Sequence, residues 1–125
     1  MVRILLVEDS AAMRTYVRSA LEGAPELSDD LEIVEAASGF DALRLLPRAA
    51  YHLVITDINM PDINGLELVR FIRDSEAHKK TPLIIISTDG READRDRGMK
   101  LGANAYLTKP FEPEQLLEIV RSLLK

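Results

Sequence analysis

The sequence predicts an α/β domain in which a doubly wound, five-stranded parallel sheet is covered by five helices, and three observations carry that prediction. First, the apolar stretches at residues 4–7, 53–56 and 83–86, with a shorter one at 106–107, do not alternate with polar residues. Strands that are apolar at consecutive positions are buried on both faces, as in parallel sheets. Second, segments of helical spacing alternate with these stretches through short connections, the pattern of right-handed crossovers. Third, each stretch runs directly into polar or charged residues: Glu8-Asp9, Asp57, Ser87-Thr88 and Thr108-Lys109. In open sheets of this kind ligands bind beyond the carboxyl ends of the strands, so that edge is the expected site.

The first strand takes residues 4–7. Ser10 caps a helix whose apolar positions Met13, Tyr16, Val17, Ala20 and Leu21 fall at i, i+3, i+4, i+7 and i+8, ending near Gly23. Residues 25–30 are polar and are expected to form a loop. Ile33-Val34 and Ala36-Ala37 make the second strand, and Ser38 caps a short helix carrying Ala42, Leu45 and Leu46, which Pro47 limits. Residues 51–56 make the third strand. A turn containing Met60-Pro61 and Asn64-Gly65 leads from it into a helix with Leu66, Leu68, Val69, Phe71 and Ile72. Pro82 opens the fourth strand, where it sacrifices no central ladder bond. The next helix has few apolar residues, chiefly Ala93, Met99 and Leu101, and holds Gly98 in its interior at a cost of about 1 kcal/mol against Ala. It is therefore expected to be weakly anchored and able to shift. Gly102 closes it. Residues 105–108 make the fifth strand, and Pro113 starts a last helix with Leu116, Leu117, Val120, Leu123 and Leu124 on one face.

A length of 125 residues, 46% of them hydrophobic, suffices for one core, so residues 1–125 are expected to form a single domain. The absence of Cys excludes disulfides, thiolate metal sites and a cysteine nucleophile. Nothing resembles a signal peptide, and residues 2–7 are far too few for a membrane span and stop at Glu8-Asp9. A cytoplasmic location without membrane insertion is expected. A net charge of −5 argues against nucleic acid as a partner, because that binding rests on neutralising phosphates. The basic residues Arg91, Arg95, Arg97 and Lys100 are interleaved with Glu92, Asp94 and Asp96, the mark of a solvated helix face.

Chemistry gathers where the strands end. If their strands are neighbours, Glu8-Asp9, Asp57 and Lys109 meet. Two carboxylates about 4 Å apart repel by roughly 4 kcal/mol at an effective dielectric of about 20, so the cluster wants a cation. Oxygen ligands suit a hard divalent ion such as Mg²⁺. A carboxylate beside such an ion and an ammonium can serve as a nucleophile toward phosphorus. On that reading Asp57 attacks phosphorus, Asp9 binds the metal, and Glu8 supports it directly or through water. Lys109 then pairs with one phosphoryl oxygen and the Ser87 hydroxyl donates to another. Glu8-Asp9 would also favour the positive end of the first helix, but Ser10 already supplies its cap. Tyr106 reads either as a static core aromatic with its hydroxyl at the surface or as a moving group. His52 and His78 have no companions and are expected at the surface, not as ligands.

At these residues the chain resembles the receiver domains of two-component response regulators, of the single-domain chemotaxis (CheY-like) type. The resemblance rests on Glu8-Asp9, Asp57-Ile58-Asn59-Met60-Pro61-Asp62-Ile63-Asn64-Gly65, Ser87, and Tyr106 two positions before Thr108-Lys109-Pro110-Phe111, and it spans essentially the whole chain. It implies a flavodoxin-like sheet in the order 2-1-3-4-5. It implies that Asp57 accepts a phosphoryl group from a phosphohistidine on a sensor histidine kinase, with a Mg²⁺ site at Asp9, Asp57, Glu8 and the backbone carbonyl of Asn59. Ser87 and Tyr106 correspond to the family's switch pair, and the Lys109-Pro110 bond is implied to be cis. Phosphorylated Asp57 would draw Ser87 inward, Tyr106 would turn in, and the surface of the fourth helix, fifth strand and last helix would change its partners. Thr88 stands where the family usually has Ala or Gly, which implies narrower access to the site and slower transfer or hydrolysis. Asn59 and Asp89 flank the site as in regulators with short-lived phosphorylation. The sequence stops directly after the last helix, so, unless it is a piece of a longer protein, no effector domain is expected and it acts by binding a target protein that the sequence does not name; a monomer is expected.

Two other functions share parts of this pattern. A phosphatase of the haloacid-dehalogenase type would want a second acid two residues after its nucleophile, where Asn59 stands, and a cap for which the chain has no room. An adaptor working without phosphate would not need Asp57, Lys109 and Ser87 together. A flavin-binding module of the same architecture would want a hydroxyl- and Gly-rich loop after the first strand, where Glu8-Asp9 stands.

Overall fold

The unalternated apolar stretches form the centre of the sheet in the computed structural model of the chain, which describes residues 1–28, 30–88, 90 and 92–124. Strands β1 (Val2–Val7), β2 (Leu31–Ala36), β3 (Leu53–Asp57), β4 (Leu83–Ser87) and β5 (Ala105–Thr108) are all parallel, in the order β2-β1-β3-β4-β5. Every residue of β3 and β4 is buried, which is why neither alternates. The register pairs Val7 with Thr56, Asp57 with Ile86, and Ser87 with Thr108, so the strands end nearly level.

Successive side chains along the strands feed two separate cores. On one face Ile4, Leu6, Ile55, Ile84 and Ile86 pack beneath α1 (Ala11–Glu22) and α6 (Pro113–Leu123). On the other, Leu5, Val7, Val54, Leu83, Ile85 and Tyr106 pack beneath α3 (Gly39–Leu45) and α4 (Gly65–Asp74). Helix α5 (Glu92–Leu101) adjoins this second face but buries only Gly98 among its described residues, as its apolar-poor sequence predicts. A Cβ at Gly98 would come within 2.7 Å of Ile85 Cδ1, so the glycine that weakens the helix also lets it approach β4. Gly102, at φ +117°, turns the chain out of α5.

The caps follow the sequence. Ser10 accepts from Met13 N at 3.2 Å, Ser38 from Asp41 N at 3.1 Å, and Asn64 from Leu66 N at 2.7 Å. Glu112 N donates to the Gln115 side chain at 2.7 Å, closing the first turn of α6 behind Pro113.

Four expectations are corrected. There are six α-helices among the described residues rather than five, because the segment expected as a loop contains α2 (Pro25–Ser28). Leu27 N bonds to Ala24 O at 3.0 Å, and both side chains are buried, so one apolar residue in a polar stretch suffices to dock a turn. Strand β2 begins earlier, at Leu31, as an edge strand with Glu32 and Glu35 exposed, a charged pattern that hides its start. Tyr51 precedes β3 rather than opening it; its ring is buried and its hydroxyl donates to Leu45 O at 2.9 Å. His78 is not a surface residue: it is 4% exposed, with Nε2 2.7 Å from Leu46 O, next to the Tyr51 ring. Tyr51 and His78 thus satisfy two carbonyls at the end of α3, where helices leave acceptors unpaired.

Arg73 locks the edge of the sheet where β4 and β5 begin, the same end at which His78 lies. Its guanidinium donates to Gly102 O at 2.9 Å, Thr81 O at 2.8 Å and Asn104 Oδ1 at 3.0 Å, while the same Asn104 oxygen accepts from Leu83 N at 2.9 Å.

Candidate functional site

Level strand ends bring Glu8, Asp57, Ser87 and Lys109 to one edge, and the side chains of Glu8, Asp57 and Lys109 converge there. Lys109 Nζ lies 2.6 Å from Glu8 Oε1 and 3.3 Å from Asp57 Oδ2. Carboxylate oxygens of Glu8, Asp9 and Asp57 all fall within 4.8 Å of one another. Glu8 is fully enclosed, Asp57 is 5% exposed, and Asp9 is open to solvent.

Backbone donors fix two of the three acids, Glu8 and Asp57. Ser10 N donates to Glu8 Oε2 at 2.9 Å, and Ile58 N donates to Asp57 Oδ1 at 2.7 Å. The Arg14 guanidinium reaches back from α1 to the carbonyl of Glu8 at 2.7 Å. Lys109 is placed by its own amide, which donates to Ser87 O at 2.7 Å, and by the cis peptide bond to Pro110. The Tyr16 hydroxyl donates to Phe111 O at 2.5 Å, bracing the segment that follows.

Three carboxylates therefore face one ammonium, and the ionisation of the pocket reflects it. Burial pushes the Glu8 carboxyl above its ordinary value, against the pull of the Lys109 and Ser10 hydrogen bonds. Burial also opposes the Lys109 ammonium, but the Glu8 hydrogen bond and the charges of Asp57 and Glu8 outweigh it and raise its pKa. The remaining negative charge, presented by oxygen atoms alone with one acid open to solvent, fits a hard divalent cation. A soft metal would want sulfur or imidazole, and neither His stands among these ligands.

Gly65 is required by a close approach. Its amide donates to Ile58 O at 2.8 Å, and a Cβ there would lie 2.0 Å from the Asp57 carbonyl oxygen. Asn59, two residues beyond Asp57, is exposed in the loop this bond closes. Ser87 is fully buried and Thr88 is exposed beside it, while Asp89 and Arg91 lie outside the described residues. Tyr106 is 5% exposed, with its ring in the second core and the Arg95 guanidinium 5.9 Å from the ring centroid. A ring held in the core is compatible with both readings of the sequence, a static aromatic and a moving group turned inward.

Sequence reasoning assigned no role to Arg14 or Asp62 and read Tyr16 only as part of the apolar stripe of α1. Asp62, in the β3–α4 loop, accepts from Gly39 N at 3.0 Å, Phe40 N at 2.8 Å and Ile63 N at 2.8 Å. The available signal was an acid in a Pro-Asp turn, which marks a capping residue without saying which helix it caps. A cleft of about 520 Å³ beside Tyr51, Lys79, Lys80 and Pro82 contains none of the acids that converge at the carboxyl edge.

Residues 4–121 match the family described as response regulator receiver domain. The chain is 36% identical over 123 residues to a Chemotaxis protein CheY homolog of Campylobacter jejuni, a match covering 98% of this chain and 92% of that one. It is similar to the solved chemotaxis response regulator CheY4 of Vibrio cholerae, with a TM-score of 0.87, 32% identity and 99% of each chain covered. A response regulator solved in its Mn²⁺-bound form is also similar, with a TM-score of 0.83, 27% identity, and 98% of this chain and 91% of that one covered. A family match across nearly the whole sequence, on a fold with the same extent, means that the chain belongs to the response regulator receiver domains, among those of the CheY type.

Proposed function

We propose that Asp57 is the phosphoacceptor, taking a phosphoryl group from a phosphohistidine of a sensor histidine kinase. The observation that carries this reading is the Lys109 ammonium shared between Glu8 and Asp57 in a pocket otherwise acidic. A carboxylate oxygen of Asp57 attacks phosphorus, the phosphorus–nitrogen bond breaks with its electron pair passing to the imidazole nitrogen, and the imidazole, protonated from solvent, leaves neutral. Lys109 turns from its carboxylates to a phosphoryl oxygen, and Ser87, fully buried at the end of the neighbouring strand, donates its hydroxyl to another. Water later attacks the acyl phosphate, releasing inorganic phosphate and restoring Asp57.

Asp9, Asp57, the backbone carbonyl of Asn59, and Glu8 directly or through water would hold Mg²⁺. When bound, that ion supplies positive charge to the phosphoryl oxygens. The Mn²⁺-bound form of the similar regulator supports a divalent cation in a protein of this kind. Residues 1–125 act as one receiver domain, a cytoplasmic monomer that performs its own phosphoryl transfer and hydrolysis but turns over no independent substrate. Ser87 and Tyr106 pass the phosphorylated state to the surface of α5, β5 and α6, where a target protein binds.

The test is NMR of the wild type and Asp57→Ala with Mg²⁺, before and after beryllium fluoride or acetyl phosphate. Shifts around Ser87 and Tyr106 that vanish in the variant support the reading. Identical spectra throughout would leave an adaptor that works without phosphate.

A further inference from the structure

We propose that Asp62 is a positioning residue for the divalent-cation site, stapling the loop that carries Asn59 to the amino end of α3. This rests on the proposed role of the Asn59 carbonyl as a metal ligand. The loop is held at its base, where Gly65 N bonds to Ile58 O at 2.8 Å, and at its exit, where Asn64 caps α4. Between these points Asp62 is the anchor: one carboxylate oxygen accepts from Gly39 N and Ile63 N, the other from Phe40 N. Only Asn59, Met60 and Pro61 hang between Ile58 and this anchor.

The anchor is built for closeness. A Cβ on Gly39 would lie 2.0 Å from Ile63 Cγ1, so α3 and the loop meet here without room for a side chain. Three backbone donors hold the Asp62 carboxyl at a pKa of about 2, so it stays charged near neutral pH. A carbonyl ligand is useful only if the backbone presents it before the cation arrives, and a loop pinned on both sides of Asn59 has little freedom to lose on binding. Linkage then runs both ways: whatever factor the staple adds to cation affinity, the bound cation adds to the staple. Metal occupancy is thereby felt at the start of α3, where Phe40 is 62% exposed, away from Ser87 and Tyr106.

A helix cap with a purely structural role would stabilise the fold and leave the cation affinity alone, and this difference decides the matter. Mg²⁺ titrations by NMR on the full chain compare wild type, Asp62→Asn and Asp62→Ala, with amide exchange at Gly39 and Phe40 followed in the wild type. Asp62→Ala is expected to weaken Mg²⁺ binding about five-fold or more. Asp62→Asn, which keeps one acceptor oxygen, should fall between. In the wild type Mg²⁺ should slow exchange at Gly39 and Phe40 by a larger factor than at Val120 in α6. A cooperatively folded variant that binds Mg²⁺ within about two-fold of wild type, below the usual range of coupling, would overturn the inference. So would equal slowing at Gly39, Phe40 and Val120, a result that needs no variant to fold. A wild type that fails to bind Mg²⁺ would instead overturn the metal reading itself, and this inference with it.

Discussion

Replacing Lys109 by Met keeps the apolar stem and removes the charge, which isolates what the ammonium does for the pocket. It lies 2.6 Å from Glu8 Oε1 and 3.3 Å from Asp57 Oδ2, and its side chain is 12% exposed. At an effective dielectric of about 20 those contacts correspond to about 6 and about 5 kcal/mol of attraction, against several kcal/mol of desolvation for each ion. Breaking a buried pair by removing one partner costs about 3–5 kcal/mol, and the partial access of water to Lys109 puts this case near about 3 kcal/mol. Urea unfolding near neutral pH, with chelator and then with millimolar Mg²⁺, reads the effect. The midpoint should fall by about 1–3 M urea in chelator. The deficit should shrink in Mg²⁺, because a bound cation stabilises the folded state by mass action and the variant pocket holds one positive charge fewer. A loss below about 1 kcal/mol, the size of an exposed ion pair, with no response to Mg²⁺, would refute the view that Lys109 offsets the charge of these acids.

Gly65→Ala should cost at least about 3 kcal/mol, seen as a lower thermal midpoint, because the added Cβ meets backbone atoms of Asp57 and Ile58 rather than a side chain able to move aside. Acid unfolding should carry the signature of Asp62. Its carboxyl is held at about 2 instead of 3.8, chiefly by the Phe40 hydrogen bond, so its contribution is complete above about pH 3.8 and lost as pH falls toward 2. Asp62→Asn should flatten that limb of the stability curve, and an unchanged limb would mean that the three hydrogen bonds do not persist in solution.

The strand ends were legible in the sequence because burial on both faces and chemistry at the carboxyl edge leave separate marks. Ile55 and Ile85 sit in unbroken apolar stretches, and Asp57 and Ser87 interrupt them where the sheet stops. Glu8-Asp9 and Asp57 follow the adjacent strands β1 and β3, whereas Lys109 follows β5, with β4 between, and its long side chain reaches across to both Glu8 and Asp57, so the order that the resemblance implied was needed to group all four. What escaped depends on partners that composition does not reveal. His78 is buried because Leu46, far earlier in the chain, offers a carbonyl that needs a partner. Asp62 looks like an ordinary turn residue until α3 is seen beside it. Helix α2 escaped because its docking rests on Ala24 and Leu27, too few residues to set up a period.

The guanidinium of Arg73 has a mechanical consequence for α5. It clamps the carbonyl of Gly102 just past the carboxyl end of that helix and ties it to Thr81 and Asn104. The described part of the amino-terminal half buries no side chain. A displacement of α5 is therefore expected to pivot at its Arg73-clamped carboxyl end, with the larger travel at its amino end.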